Sequence, residues 1–295
     1  MIYDCFSFFN ELDLLEIRLN ILSSVVDKFV LVEADRTFSN EKKPFYFAEN
    51  KKRYSEFLHK IIHIQITEYP QNAEEAWTIN CLQLNTLFNG LVNCNPDDII
   101  LLSDLDEIPN PEIIINYKRG GIYTLKQKYF CYYLNYQNII QRTWDHAKIM
   151  RYYDIIHNEL KFTNIRSMRT PYIKNGGWHF TYLGGIEKIK AKLNSFVIQE
   201  TIVKKRIQYL TDDVIEKYMK KGIDLFRPTK ARWIPIKIKK GTFPDYIVEN
   251  QDKYKHLIYQ KINHLHNFWV YIAVGCYFLL RPLYSVIKNI VKRPS

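Results

Sequence analysis

DDIILLSDLDEIP, from Asp97 to Pro109, is the stretch from which the rest of the chain can be read. Its four consecutive apolar residues, Ile99 to Leu102, are too few for a helix and read as a buried strand. A run without polar alternation suits a parallel strand covered on both faces. Ser103, Asp104, Leu105, Asp106 and Glu107 follow at the strand's carboxyl end, the edge where open α/β sheets bind ligands. Alternation along an extended chain turns Asp104 and Asp106 the same way and Leu105 back toward the core. Two carboxylates this close repel unless positive charge lies between them. A hard divalent cation, Mg2+ or Mn2+, is the usual answer, its shell completed by water and substrate phosphates. The competing reading is a strand end followed by a helix cap, since Asn110, Pro111 and Glu112 have the form of a helix start.

Upstream of that stretch, Ile2 to Phe9 alternates and reads as a first strand, with Asn10 capping a helix that runs to about Ser23. KFVLVEA, Lys28 to Ala34, is a second buried strand whose end carries Glu33, Asp35 and Arg36. A strand–helix–strand unit of this kind defaults to a right-handed parallel crossover. KIIHIQIT, Lys60 to Thr67, is a third strand, in which His63 reads as a satisfied core histidine. Glu74 to Gly90 is helical and spreads Ala76, Trp77, Asn80, Gln83, Leu84 and Leu87 over its faces. Three βα units converging on one edge make an α/β domain with a site of mononucleotide size. Neither a dinucleotide fingerprint nor a P-loop is present.

Downstream the character changes. Gly120 to Tyr136 alternates and is rich in aromatic residues, which reads as one or two antiparallel strands. Such faces, with interspersed Asn and Gln, suit a sugar or single-stranded nucleic acid equally. In NGGWHFTYLGG, Asn175 to Gly185, two glycine pairs bracket Trp178, His179, Phe180 and Tyr182, and a loop there would deliver His179 to a ligand. The alternative is a hairpin with aromatic packing. Ile186 to Gln199 reads as a helix that opens with Glu187 and exposes Lys188, Lys190 and Lys192. Thr211 to Lys221 reads as a short basic helix, Arg227 to Pro244 carries no motif, and Tyr254 to Leu265 has an amphipathic pattern.

Charge divides the chain. Residues 1–180 hold 20 Lys and Arg against 22 Asp and Glu, whereas residues 181–295 hold 22 against 9. A basic back half calls for an anionic surface. Phe268 to Leu280 is apolar but shorter than the roughly 20 residues needed to span a bilayer. Arg281, Lys288, Lys292 and Arg293 follow, the pattern of an interfacial anchor on an anionic membrane. The competing reading is a helix docked on the core. Five scattered cysteines without C-x-x-C spacing argue against a zinc site and a disulfide framework, and fit a reducing compartment. No signal peptide is evident, so the expected location is cytoplasmic, at the inner face of a membrane.

Three ordered blocks carry a family resemblance. CFSFFNELDLLEIRL with VLVEADRTFS and KPFYF, then LLSDLDEIP, then GGWHFTYLGG together resemble glycosyltransferase family 17, over roughly residues 2–200. The resemblance implies a GT-A fold, with a mostly parallel central sheet flanked by helices; beyond it the chain itself reads as a basic C-terminal helical extension. It implies inversion at the anomeric carbon, UDP-N-acetylglucosamine as donor, a glycan or glycolipid acceptor, and Mn2+ or Mg2+. The corresponding division is a catalytic domain over 1–205, its donor half about 1–118 and acceptor half about 119–205. A basic extension over 206–266 and the apolar and basic segment 267–295 follow. Donor-binding candidates are Phe8, Asn10, Glu11, Glu33, Asp35, Arg36, Trp77, Asn80, Gln83 and Asp104. Asp104, Asp106 and His179 are the metal candidates, and Trp178, Tyr182 and Trp144 the acceptor candidates. Glu187 and Asp145 compete for the role of catalytic base, Glu187 ranking slightly ahead. A histidine that the family pattern has near Ile198 is missing.

Two other functions share parts of this pattern. A nucleotidyltransferase also needs paired carboxylates, but calls for a Gly-rich basic loop after the first strand, where FSFFNELD is acidic and lacks glycine. A non-catalytic nucleic-acid binder would use the basic, Tyr-rich back half, yet its basic residues follow no recognition motif. Nucleic acid is therefore not an expected partner.

Overall fold

The computed structural model describes residues 1–70, 76–195, 207–226, 232–263, 265, 267–272 and 274–276. In chain order the front half runs β1 (Ile2–Phe8), α1 (Leu12–Leu22), β2 (Lys28–Ala34), α2 (Tyr46–Glu49), a 3-10 helix (Lys51–Lys60) and β3 (Ile61–Ile66). Next come α3 (Ala76–Thr86), β4 (Ile99–Leu102), β5 (Glu107–Pro109) and α4 (Pro111–Ile115). The back half adds β6 (Tyr123–Cys131), β7 (Tyr136–Asn138), β8 (Thr143–Trp144), β9 (Lys148–Arg151), α5 (Tyr152–His157) and α6 (Phe162–Ser167). It ends with β10 (Tyr172–Thr181), α7 (Gly185–Asn194), α8 (Asp212–Lys221), β11 (Trp233–Pro235) and α9 (Asp245–Glu249).

All eleven strands join one sheet, whose main path is β11-β7-β6-β9-β4-β1-β2-β3. β1, β2, β3 and β4 pair in parallel, as their unbroken apolar runs require. Strand alternation then sorts the side chains. Phe6, Phe8, Phe29, Leu31 and Leu101 face Leu14, Leu15 and Leu19 of α1 together with Phe47 and Tyr54. Tyr3, Cys5, Val30, Val32, Ile100 and Leu102 face Leu84 of α3, Leu87 and Leu91 on the opposite side. The chain thus goes β1 to β2 to β3 in one direction and returns across the other face to β4, on β1's far side. The carboxyl ends of β1 and β4 therefore flank the point where the strand order reverses, and a crevice opens there in such sheets.

Several expectations change. β4 is parallel to β1 only; its other neighbour, β9, runs antiparallel, so the sheet is mixed at its centre. Asn10 does not cap α1, whose N-cap is Glu11 with no side-chain cap bond, whereas Asn110 does cap α4, accepting from the Glu112 N–H at 3.1 Å. NGGWHFT is not a loop but the inner part of β10, squeezed between β5 on one side and β6 on the other. Glycine makes that possible: a Cβ on Gly177 would sit 2.1 Å from the Ile108 carbonyl oxygen, and φ there is +135°. The pairing of β10 with β6 shifts register between Ile173 and Gly177.

Described parts of 206–266 pack with the front half. β11 pairs with β7 in the central sheet, and Ile238, Phe243, Ile247, Tyr254, Leu257 and Ile258 lie in the same core as α1. Within the amphipathic stretch that begins at Tyr254, Lys255–Leu257 form a short 3-10 turn. Of the apolar segment only residues 268–272 and 274–276 are described, and the basic run 281–295 lies outside the described residues. Among the described residues no helix is long and apolar enough to cross a membrane.

Candidate active site

The chain leaves β4 not as an extended strand but in a turn over Leu105–Asp106, before β5 begins at Glu107. Leu105 is buried, as alternation requires, but the two aspartates diverge. Asp104 meets the Arg166 guanidinium of α6 at 2.7 Å, while Asp106 Oδ2 accepts from Lys192 Nζ of α7 at 2.8 Å. The pairing of β5 with β10 sets His179 opposite Glu107 and brings its Nε2 to 3.4 Å from Asp106 Oδ1. His179 faces this side because β10 alternates, which turns its neighbours Trp178 and Phe180 into the core.

Glu107 organises the turn from beneath. Its fully buried carboxylate accepts from Arg166 (2.7 and 3.0 Å), from Trp144 Nε1 (2.6 Å) and from the Asp104 N–H (3.0 Å). Trp144 lies stacked on His179 with centroids 4.4 Å apart, and Tyr129 stacks on His179 at 5.0 Å. Arg18 holds the backbone. It is wholly buried, pairs with Asp4 through Nε and Nη2, and donates from Nη1 to the carbonyls of Asp104, Leu105 and Glu107 at 2.9–3.0 Å. Its second Nη2 bond goes to Ser103 Oγ at 2.6 Å, so its donors are spent.

Among the described residues, carboxylates outnumber the cations paired with them at the turn. Glu11, Asp104, Asp106 and Glu107 share Arg166 and Lys192. Burial opposes the charge of Asp106, but Lys192 and His179 outweigh it and hold the carboxyl well below the usual range. Glu107 is likewise lowered, burial being overcome by Arg166. Asp104 moves the other way, because desolvation and the Glu107 and Asp106 charges outweigh Arg166. Lys192 stays firmly charged, with Asp106 and Glu11 overriding the cost of burial.

Among the described residues, four carboxylates pair with Arg166 and Lys192, an arrangement that suits a divalent metal. Asp106 Oδ1 and His179 Nε2 are the protein atoms that converge, whereas Asp104 is engaged by Arg166. Among the described residues no three His, Cys, Asp or Glu gather in a metal-holding group. A cation here would take the rest of its shell from water and substrate phosphate, which is how Mg2+ is normally bound.

The other candidates separate into three groups. Glu11 joins the site through Lys192 at 3.3 Å, and Asn10 lies beside it, its carbonyl accepting from Lys188. Asp35 and Arg36 stay at the end of β2, Asp35 accepting from the Tyr69 hydroxyl at 2.6 Å and Arg36 lying over the Tyr69 ring. Tyr182 sits under the Lys192 ammonium, 5.8 Å from ring centre to Nζ. Others are removed to the interior. Phe8 packs on Phe47; buried Glu33 is held by His63 and the Phe47 N–H; Trp178 donates to the Thr242 carbonyl. Gln83 is buried, Asn80 is half-buried and Trp77 is exposed on α3. Asp145 and Glu187 are exposed, Asp145 next to the Trp144–His179 stack and Glu187 in the first turn of α7. Ile198 lies outside the described residues. Lys192, expected on an exposed face, points inward, and Arg18 and Arg166 were not anticipated. One signal for Arg18 was available, a lone basic residue among Leu14, Leu15, Ile17, Leu19, Ile21 and Leu22.

The family model described as glycosyltransferase family 17 matches residues 1–262. The chain belongs to glycosyltransferase family 17. The match runs well past residue 200, in keeping with β11 and α9 being part of one fold with the site. Among curated relatives, the human and rat proteins named β-1,4-mannosyl-glycoprotein 4-β-N-acetylglucosaminyltransferase are each 31% identical over 107 residues, and the mouse protein is 30% identical over the same length. Each alignment covers 34% of this family 17 chain and 20% of the relative, so the chain matches about a fifth of those proteins' length.

Proposed function

We propose that the chain is an inverting, divalent-cation-dependent glycosyltransferase of GT-A type. It moves N-acetylglucosamine from UDP-N-acetylglucosamine to a glycan or glycolipid acceptor and forms a β-linkage. The observation that carries this reading is the position of the D-L-D turn, in a family 17 chain, beside the crevice between the ends of β1 and β4. The relatives' printed name makes a mannose-bearing glycoprotein glycan the first acceptor to try.

In this reading Asp106 and His179 hold the cation. When bound it supplies Lewis-acid neutralisation of the leaving diphosphate. Asp35 and Arg36, at the end of β2, face the nucleoside end of the donor. Trp144 and Tyr182 offer rings to the acceptor sugar. The attacking hydroxyl must lose its proton to a carboxylate within hydrogen-bond reach. Asp145 is now the better candidate for that role, since its neighbour Trp144 stacks directly on His179. Glu187 has no such connection to the turn. Arg166, Trp144 and Arg18 do not react; they fix Glu107 and the turn, and so the position of Asp106.

Incubation with UDP-, GDP- and CMP-sugars, with Mn2+ or Mg2+ and without, tests the reading through donor hydrolysis. Metal-stimulated release of UDP from UDP-N-acetylglucosamine is expected. Hydrolysis of no UDP-sugar under any of these conditions would overturn it.

A further inference from the structure

Three cations touch the turn from Ser103 to Glu107, and an inventory of their donors separates them. Arg18 has spent its N–H groups on Asp4, Ser103 and the backbone carbonyls. Arg166 is bound to Glu107 through both terminal nitrogens and to Asp104 through one. Lys192 is different. An ammonium has three N–H donors, and two of them go to Asp106 Oδ2 at 2.8 Å and Glu11 Oε1 at 3.3 Å. Its side chain keeps 22% exposure, more than the 14% of Arg166 and none for Arg18.

Position sharpens the distinction. Glu11 follows β1 and Asp106 follows β4, so Lys192 spans the two strand ends at which the sheet's order reverses. A ligand of such a sheet binds in the crevice outside those carboxyl ends. The ammonium therefore sits where an anionic ligand arrives, with one donor that no described residue takes. We infer that Lys192 is a diphosphate-binding residue. Held by Asp106 and Glu11, it donates its remaining N–H to a phosphate oxygen of the nucleotide donor. The assignment rests on the nucleotide-sugar reading above and adds to it a direct protein contact to the diphosphate. Charge-assisted bonds of this type are roughly twice as strong as neutral ones.

Binding of UDP and of uridine to the full chain, measured by calorimetry with and without Mn2+, tests the inference. Lys192→Met keeps the apolar stem and removes the charge. UDP affinity should fall at least tenfold in both conditions, uridine affinity should stay within twofold, and Lys192→Arg should restore most of the UDP binding. Lys192→Gln, neutral but polar, gives a second charge-free variant should the Met variant fold poorly. Wild-type-like UDP binding by a folded charge-free variant overturns the inference alone. So does an equal loss of UDP and uridine binding, which marks a purely structural lysine. A wild-type chain that binds neither UDP nor uridine overturns the nucleotide-sugar reading, and the inference with it.

Discussion

Replacing Arg18 by Met tests whether the D-L-D turn is held from inside the core. Both members of the Arg18–Asp4 pair are wholly buried, and the guanidinium also lies 4.5 Å over the Phe6 ring. Arg18→Met leaves the Asp4 carboxylate buried with no cation, a change that costs about 3–5 kcal/mol. At about 2–4 °C per kcal/mol for a chain somewhat smaller than this one, the melting temperature should fall by on the order of 10 °C. A double variant with Asp4→Leu separates the two duties of the arginine. Removing both charges relieves the uncompensated carboxylate, so at least half of the lost stability should return. The carbonyls of Asp104, Leu105 and Glu107 still lack their donor, so the turn is no longer tied to α1. The double variant should therefore fold yet bind metal and UDP poorly. Thermal denaturation followed by calorimetric titration reads both effects. A single variant melting within 2 °C of wild type would refute the reasoning, as would a double variant with unchanged nucleotide affinity.

Two shorter predictions follow from the same geometry. Asp106→Asn should abolish transfer while shifting the melting temperature by only a few degrees, because Lys192 keeps Glu11 as partner; activity above about a tenth of wild type with metal stimulation intact would exclude Asp106 as a ligand. Gly177→Ala should prevent folding or lower the melting temperature steeply, since the new Cβ meets the Ile108 carbonyl oxygen at 2.1 Å from a backbone with φ of +135°; soluble, wild-type-like protein on denaturation would show that β10 can move away from β5.

Legibility in the sequence followed how local the information was. β1, β2, β3 and β4 were readable because continuous apolar runs carry their own signature, and the D-L-D lies directly after one of them. β7, β8 and β11 were not, because three residues or fewer hold no period. In the site, the carboxylates were visible and their cations were not. Asp106 meets a lysine 86 positions away and Asp104 an arginine 62 away, partnerships that only the packing of α6 and α7 decides. Trp178 and His179 could not be told apart without the strand. Once Asn175 to Thr181 is taken as strand rather than loop, period two sends Trp178 inward to the core and His179 to the turn.

The joining of residues 238–258 to the core of α1 bears on how the molecule is made. Leu14, Leu15 and Leu22 share a cluster with Phe243, Ile247, Leu257 and Ile258, and Glu16 is tied to Lys253. On a ribosome adding about 5–20 residues per second, α1 emerges roughly 10–50 s before the segment that covers it. During that interval the apolar side of the first βαβ unit stands open to water, to chaperones and to other nascent chains. Halting translation near residue 205 should hold the chain in that exposed condition, with the D-L-D turn already synthesised and its scaffold unfinished.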